Sequence, residues 1–496
     1  MSSSQRLTLA AAILGSSLAA IDGSIVNVAL PAIERDLGGG LPVQQWVSNA
    51  YLLALGSLIL IGGSLADIFG ERRVFTIGVA GFGLLSVACA LAPSIDTLIA
   101  ARALEGAAAA LLTPSSLAII VAAFPPKERG AAIGSWTAWG GIAGIVGPLA
   151  GGAIVDTASW RWIFALNVPL VLVTLALISV AVPKTARVRS RRVDIVGAGL
   201  GVTGLGGVVF ALIEQPRYGW ASATIDLPLA IGAVAFVCFL VYERRTEEPM
   251  LKLELFARRN FAVANLETLT MYAGLSILFF FLVIFLQQVA GYSALRSGLT
   301  TVPVTLVMFA LSRRFGTLAD RYGPRLFMGV GPLLAATGVL LLLRTGMHTS
   351  YTRDLLPGLL VFALGLSMTV APLTATVMAD ADQHDAGIAS AINNAIARVA
   401  GLVGISIIGV VVASKLVGDT FVSNTASVRA FHEALAVCAA LMATGGLAGA
   451  LGITNPRRIV KAAGCAGGQL AGVPTPAAET MPSAYSSMPA TTSFRV

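Results

Sequence analysis

The sequence predicts an all-α membrane protein with fourteen transmembrane helices, and its composition and its pattern of apolar runs carry this prediction. Hydrophobic residues make up 56% of the 496 positions, charged residues make up 12%, and the mean hydropathy is +0.83. Soluble domains carry roughly 25% charged residues, so this chain has too little polar surface to cover a water-soluble body. Apolar runs of about 20 residues, the length of helix that crosses a bilayer core, recur along the chain.

The apolar runs define the predicted helices in chain order. Asp22 interrupts the first run, which is too long for the apolar core of a signal peptide, so we interpret it as an uncleaved helix. Residues 453–496 are rich in Ala, Pro, Ser, Thr and Gly and predict a disordered cytoplasmic tail. The runs are 8–30, 45–66, 74–92, 97–122, 131–156, 161–182, 194–213, 225–242, 261–289, 297–317, 326–344, 355–378, 387–412 and 431–452.

The distribution of charge predicts the topology and excludes several classes of protein. With an even number of helices both termini share one side, and Lys and Arg are about three times as frequent in the segments on that side. This bias predicts a multi-pass protein of the cell (inner) membrane with both termini in the cytoplasm. The net charge of +8 lies in short loops between helices, so we expect no binding of nucleic acid.

Enzyme chemistry, cofactors and metal sites find no support in the sequence. The four cysteines are scattered without C-x-x-C spacing, and the three histidines lie in predicted loops or at helix ends. The chain has no G-x-x-x-x-G-K-[ST] loop, which argues against an ATP-driven pump. We therefore expect neither a cofactor nor a metal ion, and no catalytic residues.

An internal repeat predicts the domain organisation. Residues 63–72 read G-S-L-A-D-I-F-G-E-R after the second helix, and residues 316–325 read G-T-L-A-D-R-Y-G-P-R after the tenth. Two six-helix halves would place the second copy after the eighth helix, so two helices have been inserted between the halves. We expect an N-terminal bundle over 8–182, a linker with two extra helices over 183–250, and a C-terminal bundle over 255–452. A parallel repeat of this kind places a substrate site between the halves.

The first and fourth helices carry charged residues that are expensive inside a bilayer. Residues 22–31 read D-G-S-I-V-N-V-A-L-P, and Arg102 is followed by Glu105 on the same helix face. Asp22 and Arg102 both fall in the outer half of their helices, so they can lie at one depth. Charged side chains in the membrane usually face a partner or a cavity. A proton-sensitive cluster and a permanent structural ion pair are both compatible with this pattern.

Further candidate residues lie in the fifth, ninth and thirteenth helices. Residues 147–152 read G-P-L-A-G-G, in which proline bends a helix and glycine permits close packing. Asn394 and Arg398 share one face, and Arg398 lies about 18 Å into its helix, near the midplane. Arg398 is therefore predicted to line a cavity, with snorkelling or an interhelical contact as the alternatives. Glu267 is either a second proton carrier or an interfacial glutamate.

These motifs, in this order, resemble the major facilitator superfamily and within it the fourteen-helix drug:proton antiporters, over residues 8–452. The resemblance implies proton coupling at Arg102, and we take Asp22 and Glu105 as its candidate partners and Asn27 as a candidate residue of the substrate cavity. The usual leading glycine of the antiporter motif is replaced by Ala143. The implied antiporter hinge is Gly147, Pro148, Gly151 and Gly152, and the implied conformational latch is Gly63, Asp67, Gly70, Arg73 and Asp320.

The function that we expect is proton-coupled export of small amphipathic or cationic compounds by alternating access. Substrate and proton would compete for one carboxylate, so protonation on the outside would release the substrate. A dedicated exporter of one metabolite or antibiotic is the alternative, and a non-transporting membrane sensor is a distant one. The expected partners are the substrate, protons and the lipid bilayer, and an accessory protein is left open.

Overall fold

The structure, a computed structural model of the chain, describes residues 2–183, 193–247, 249–379, 386–416, 418 and 420–455. Within these residues fourteen helices are long and apolar enough to cross a membrane, which confirms the predicted number. Residues 456–496, most of the predicted tail, lie outside the described residues. The helices are α1 Ser3–Leu37, α2 Gly40–Phe69, α3 Glu71–Ala90, α4 Ile95–Ala123, α5 Pro126–Thr157, α6 Arg161–Ala181, α7 Ile195–Tyr218, α8 Ala223–Arg245, α9 Arg259–Gln288, α10 Ala294–Tyr322, α11 Pro324–Leu341, α12 Leu356–Ala379, α13 Ala386–Ala413 and α14 Thr425–Gly452.

Capping residues extend several helices beyond the apolar runs. At the start of α1 the Ser2 hydroxyl accepts a hydrogen bond from Gln5 N, and the Gln5 side chain accepts one from Ser2 N. This reciprocal cap satisfies two amides that the first turn leaves free. Gly70 follows the last residue of α2 and Gly323 follows the last residue of α10. Their φ angles of 88° and 91° favour glycine. Both glycines belong to the repeated motif, so the same backbone turn occurs twice.

Helices α1–α6 pack mainly against one another, and α9–α14 do the same. We call these groups the N-half and the C-half. The halves meet where α2 packs on α13, where α5 packs on α10, and where α1 contacts α9. These pairs are the main contacts between the halves.

The inserted pair, α7 and α8, lies at the periphery. The two helices pack closely on each other, and α7 also contacts α2 and α13 at the junction of the halves. Gly207 and Gly232 permit this approach, since a Cβ on Gly207 would lie 2.9 Å from the Gly232 Cα. Large apolar side chains of α8 such as Leu227 and Val234 are exposed, as expected for a helix that faces lipid. The inserted pair therefore flanks the halves and does not separate them.

One membrane face holds the ends at which α1 begins and α14 ends, and we call it the terminal face. On this face the Thr8 hydroxyl of α1 donates to the carbonyl of Ala181 at the end of α6. Likewise the Arg259 side chain at the start of α9 donates to the carbonyl of Gly452 at the end of α14. The helices thus alternate in direction across the membrane, and each half is tied together at the terminal face.

The halves are closed against each other at the opposite face. A continuous apolar cluster joins Ile25 and Leu30 of α1 to residues of α9 such as Phe281. Polar contacts reinforce it, because the Gln287 side chain of α9 donates to the carbonyl of Val28 at 2.9 Å. Toward the terminal face, α5 instead presents exposed positions such as Gly134, where an added Cβ would meet no atom within 4 Å. The space between the halves therefore opens toward the terminal face.

Candidate functional site

A cavity of about 520 Å³ lies between the two halves, bounded by helices of both. Of the residues that the sequence places in a substrate cavity, Asn27 and Arg398 line it. Asn394 lies one turn nearer the terminal face, is exposed, and donates its side-chain amide to the carbonyl of Ser390 at 3.0 Å. The wall mixes apolar side chains with neutral hydroxyl and amide groups, which suits amphipathic molecules.

A buried charged cluster lies in the N-half at the cavity wall. Arg102 Nη1 lies 2.6 Å from Asp22 Oδ2 and 2.7 Å from Glu105 Oε2, and all three side chains are at most 1% exposed. Glu105 follows Arg102 by three residues on α4, which brings the two onto one helix face. Arg102 Nε also donates to the carbonyl of Val47 at 3.2 Å. The structure thus brings together Asp22 and Arg102, which the sequence placed at a common depth, and Glu105, which it placed on the same helix face as Arg102.

The cluster holds two acidic groups against one basic group. With both acids ionised its net charge is −1, and one added proton makes it neutral. Oxygen Oδ1 of Asp22 and oxygen Oε1 of Glu105 are buried and accept no hydrogen bond from a described residue. Arg102 lines the cavity, whereas both carboxylates lie behind it. A molecule in the cavity therefore reaches the arginine before either acid, which does not favour direct competition of substrate and proton for one carboxylate.

Sequence reasoning missed the neighbours that hold this cluster. The Arg102 guanidinium lies 4.3 Å above the ring of Tyr51, a favourable cation–π arrangement. The thiol of Cys89 on α3 donates to Glu105 Oε2 at 3.4 Å. Buried polar residues in apolar helices are the signal that would have found them, since such groups are kept for a partner.

Glu267 lies apart from this cluster, in the C-half. Its side chain is fully buried on α9, and neither carboxylate oxygen has a hydrogen-bond partner among the described residues. It faces α14, where a Cβ on Gly449 would lie 2.8 Å from Glu267 Oε2. The structure does not place it on the cavity wall. Full burial is also unlike an interfacial glutamate, so its carboxyl group is held inside the bundle.

The sequence profile of the Major Facilitator Superfamily matches residues 12–405 of the chain. This protein belongs to the Major Facilitator Superfamily. The chain is 37% identical over 404 residues to the puromycin resistance protein pur8 of Streptomyces alboniger, covering 79% of each protein. It is 36% identical over 417 residues to the multidrug resistance protein Stp of Mycobacterium tuberculosis, covering 84% of this chain and 77% of Stp. It is 32% identical over 420 residues to the tetracenomycin C resistance and export protein of Streptomyces glaucescens, with coverages of 84% and 77%.

Solved structures of transporters share the fold. A bacterial homologue of the human lysosomal transporter Spinster, inward-facing and unoccupied, superposes with a TM-score of 0.66 at 16% identity, covering 91% of this chain and 97% of that one. A D-xylose–proton symporter gives a TM-score of 0.64 at 15% identity, with coverages of 90% and 98%. At these identities the likeness is one of architecture, and it confirms the predicted major facilitator fold.

The α5 motif that resembles the superfamily's antiporter signature contacts both halves. Gly147 and Gly151 face α1, where a Cβ would collide with the side chains of Ser24 and Ile25. Gly152 faces α10 of the C-half. The motif's glycines therefore set how closely α5 approaches a helix on each side.

Across the junction of the halves the contact is between backbones. A Cβ on Gly152 would lie 2.5 Å from the Leu295 Cα, and one on Gly298 of α10 would lie 2.5 Å from the Pro148 carbonyl oxygen. One turn beyond Gly152, both carboxylate oxygens of Asp156 accept hydrogen bonds, at 2.9 Å each, from the amides of Ala294 and Leu295. The carboxylate thus caps the first turn of α10, which favours negative charge. Sequence reasoning missed Asp156, because nothing along the chain indicates which helix it caps.

The repeated motif at the terminal face anchors arginines in both halves. Arg72 donates to the carbonyls of Val182 at 2.7 Å and Ser179 at 3.1 Å, at the end of α6. Arg325, at the matching position, donates to the carbonyl of Ala450 near the end of α14 at 2.6 Å. Each arginine therefore binds the last helix of its own half.

The other residues expected in the latch lie around these anchors. Gly63 faces Pro114 of α4 across an ordinary van der Waals distance, and Gly70 supplies the turn. Asp67, Arg73 and Asp320 are exposed. Because Arg73 points to solvent and Arg72 binds α6, the geometry gives Arg72 the anchoring position.

Proposed function

We propose that this protein exports small amphipathic compounds from the cell in exchange for protons, by alternating access. Several similar proteins are named for resistance to, or export of, antibiotics, including puromycin and tetracenomycin C. Membership of a transporter superfamily makes a sensor or an enzyme the weaker interpretation. The concentration of basic residues on the terminal face supports a cytoplasmic location for both termini. The cavity then faces the cytoplasm in the state described.

The observation that carries proton coupling is the buried cluster of Asp22, Arg102 and Glu105. Protonation of one carboxyl group removes one of the two ionic contacts that hold Arg102. Because Asp22 is on α1 and the other two residues are on α4, the bound proton changes how these helices are held together. Arg102 lines the cavity, so the same change reaches the substrate. Proton and substrate are thereby coupled through the arginine, without sharing a carboxylate. We assign Glu267 as a second candidate proton carrier.

Alternating access requires the opposite face to open while the terminal face closes. The contacts of Gly152 and Asp156 with α10 are those that must separate in the outward-open state. Export would proceed by substrate binding from the cytoplasm, opening of these contacts, and proton entry from outside. Two six-helix halves and the peripheral pair α7–α8 together form the transport unit in this proposal.

A dedicated exporter of one metabolite remains the second candidate function. It is favoured by similar proteins named for single compounds, such as a probable actinorhodin transporter of Streptomyces coelicolor, 34% identical over 404 residues. The two candidates differ in the number of compounds transported. A panel of chemically unrelated amphipathic compounds separates them, because a dedicated exporter responds to one scaffold and a multidrug exporter to several.

Everted membrane vesicles test proton coupling directly. Respiration acidifies the lumen, and a transported compound added outside dissipates the pH gradient, which a fluorescent weak base reports. We expect the wild-type chain to dissipate the gradient with at least one compound of the panel. We expect Asp22→Asn combined with Glu105→Gln to abolish this response, because the cluster then has no acid to protonate.

The matched control is Asp96→Asn, which removes an exposed carboxylate at the start of α4 outside the cluster. It should leave the response unchanged. Glu267→Gln, measured in the same way, shows whether the C-half carboxyl group also carries protons. A full response in the Asp22→Asn, Glu105→Gln chain, at equal expression, would show that the cluster is a permanent structural ion pair.

A further inference from the structure

The charge of the cavity wall indicates which compounds it binds. We propose that the cavity selects amphipathic organic anions, molecules with an apolar body and one carboxylate or similarly acidic group, and that Arg398 binds the acidic group. This inference rests on the proposed export function and narrows its substrate class. It replaces the expectation of cationic substrates that the sequence raised.

The first observation is that Arg398 has no ionic partner. Among the described residues no carboxylate lies within ion-pair distance of it, whereas Arg102, which also lines the cavity, binds two. Arg398 lines the cavity and its side chain is exposed there. It lies about 18 Å along α13 from the first residue of that helix, too deep to reach the headgroups of the terminal face. An unpaired guanidinium at this depth is costly unless a ligand or water satisfies it.

The second observation is the composition of the rest of the wall. Arg102 and Arg398 are the charged residues among those that line the cavity in the described part of the chain, and no acidic residue lines it. Asp22 and Glu105 are fully buried behind Arg102. An organic cation in this cavity would meet an unpaired positive charge and no accessible carboxylate. An anion would instead gain charge-assisted hydrogen bonds from a planar fork of donors that matches a carboxylate.

The surroundings of Arg398 suit an apolar body attached to the acid. Tyr51, Tyr272, Met271 and Phe279 line the same cavity as Arg398. Aromatic and thioether side chains give broad apolar contact without demanding one shape. The cavity volume of about 520 Å³ accommodates a drug-sized molecule.

An interhelical role for Arg398 finds less support. The side chain of Arg398 makes no hydrogen bond to another described residue. Its Cβ packs close to α2, since a Cβ added to Gly56 would lie 3.2 Å from it. The stem of Arg398 therefore packs at the junction of the halves while the guanidinium remains free. An anion bound to Arg398 therefore lies beside the contact between α2 and α13 and can change the strength of that contact.

Two fluorescent probes of the same skeleton, pyrene-1-carboxylate and pyrene-1-carboxamide, test the inference. Binding to the purified full chain in a neutral detergent is followed by energy transfer from tryptophan. We expect the wild-type chain to bind the carboxylate at least about tenfold tighter than the carboxamide, the effect of a charge-assisted hydrogen bond. Arg398→Gln should remove this preference while leaving carboxamide binding within about twofold. Arg398→Lys should keep part of it, because lysine retains the charge without the fork.

The matched control is Arg217→Gln, which removes an exposed guanidinium at the end of α7, outside the cavity. It should leave the tenfold preference intact. Equal binding of the two probes by the wild-type chain, absence of carboxylate binding, or a preference that persists in Arg398→Gln overturns the inference. Thermal stability of each variant, measured in the same detergent, shows whether a loss of binding reflects a loss of fold. If Arg398→Gln is unfolded, the inference is judged on Arg398→Lys, which should keep part of the preference for the carboxylate.

The vesicle assay separates this inference from the export proposal. If the organic cation ethidium or the neutral carboxamide dissipates the pH gradient and the carboxylate does not, the export proposal is supported and the proposed selection of anions is wrong. If no compound of the panel, whether anionic, neutral or cationic, dissipates the gradient in vesicles that contain folded protein, the export proposal itself is wrong.

Discussion

The two halves of the molecule share a scaffold and differ in their buried charges. In the N-half, Arg102 is fully buried and binds both Asp22 and Glu105. The matching helix of the C-half, α12, has no charged residue. In the described part of the C-half, Glu267 has no hydrogen-bond partner and Arg398 faces the cavity. Two halves with the same number of helices therefore carry different buried charges, which in our proposal lets one half bind protons and the other bind the substrate.

At the terminal face, by contrast, the two halves have the same local structure. Gly70 and Gly323 make the same turn, and Arg72 and Arg325 both bind carbonyl groups of the last helix of their own half. These contacts tie the motif of each half to the last helix of the same half. Such ties within a half favour motion at the contacts between the halves, which is what alternating access needs. Three predictions, each with its own substitutions, probe the comparison in order of decreasing expected effect.

The largest effect is expected where the buried charge pairs are broken. Arg102→Gln leaves two buried carboxylates without their cation, so the free energy of unfolding should fall by about 3–5 kcal/mol. Arg398→Gln removes an arginine without an ionic partner, so it should change stability by no more than about 0.5 kcal/mol. Equilibrium unfolding in mixed micelles measures both values. Equal losses for the two arginines would contradict the contrast between the halves.

A charge-free cluster is the control for this prediction. Arg102→Gln combined with Asp22→Asn and Glu105→Gln removes the uncompensated carboxylates, so it should recover much of the lost stability. A triple variant as unstable as Arg102→Gln alone would instead assign the loss to the packing of Arg102 on Tyr51. In that case the cluster would hold the helices together mainly by shape.

A smaller effect is expected where the halves meet. Gly152→Ala places a Cβ about 2.5 Å from the Leu295 backbone, so closure of the opposite face should cost about 1–3 kcal/mol more. Spin labels on the exposed residues Thr157 and Arg296, in a cysteine-free background, report the separation across this face. We expect a larger share of long distances and slower export. Gly141→Ala on the same helix, with no atom within 4 Å, should leave both unchanged.

An unchanged distance distribution in Gly152→Ala would show that α5 and α10 adjust without opening. The α5 motif would then be a packing surface within the closed state, and the gate would have to lie elsewhere. Other contacts between the halves at the opposite face, such as those of Gln287 and Asp156, would be the next positions to vary.

The number of helices and the family could be predicted from the sequence, because hydropathy and the order of motifs are recognised along the chain without knowing how the helices pack. The helix ends could not, since α1 begins at Ser3 and ends at Leu37, beyond the apolar run of 8–30. Its polar end residues lie outside the hydrocarbon layer, where caps and hydrogen bonds decide. The grouping of Asp22 with Arg102 followed from their common depth. The isolation of Glu267 did not, because depth alone does not say which face of α9 points to the cavity.

Partners between distant helices were the least predictable part of the site. Asp156 caps α10, and Asn49 of α2 donates to the hydroxyl of Ser406 on α13 at 3.0 Å. Each contact depends on how two halves meet, and sequence periodicity along one helix carries no information about that. The motif offers two adjacent arginines, Arg72 and Arg73, and only the geometry shows which of them binds α6 in the described state.

The smallest effect is expected at these motif arginines, and it compares the halves directly. Arg72 binds two carbonyl groups and Arg325 binds one in the motif's matching position. Arg72→Gln and Arg325→Gln should each lower the free energy of unfolding by about 0.5–1.5 kcal/mol, with the larger value for Arg72 because it loses one more contact. Arg73→Gln, beside Arg72 but directed to solvent, is the matched control and should fall within about 0.5 kcal/mol of the parent chain. If Arg73→Gln were the more damaging change, the motif would act through a contact of the other conformational state, and the anchoring seen here would be secondary to it.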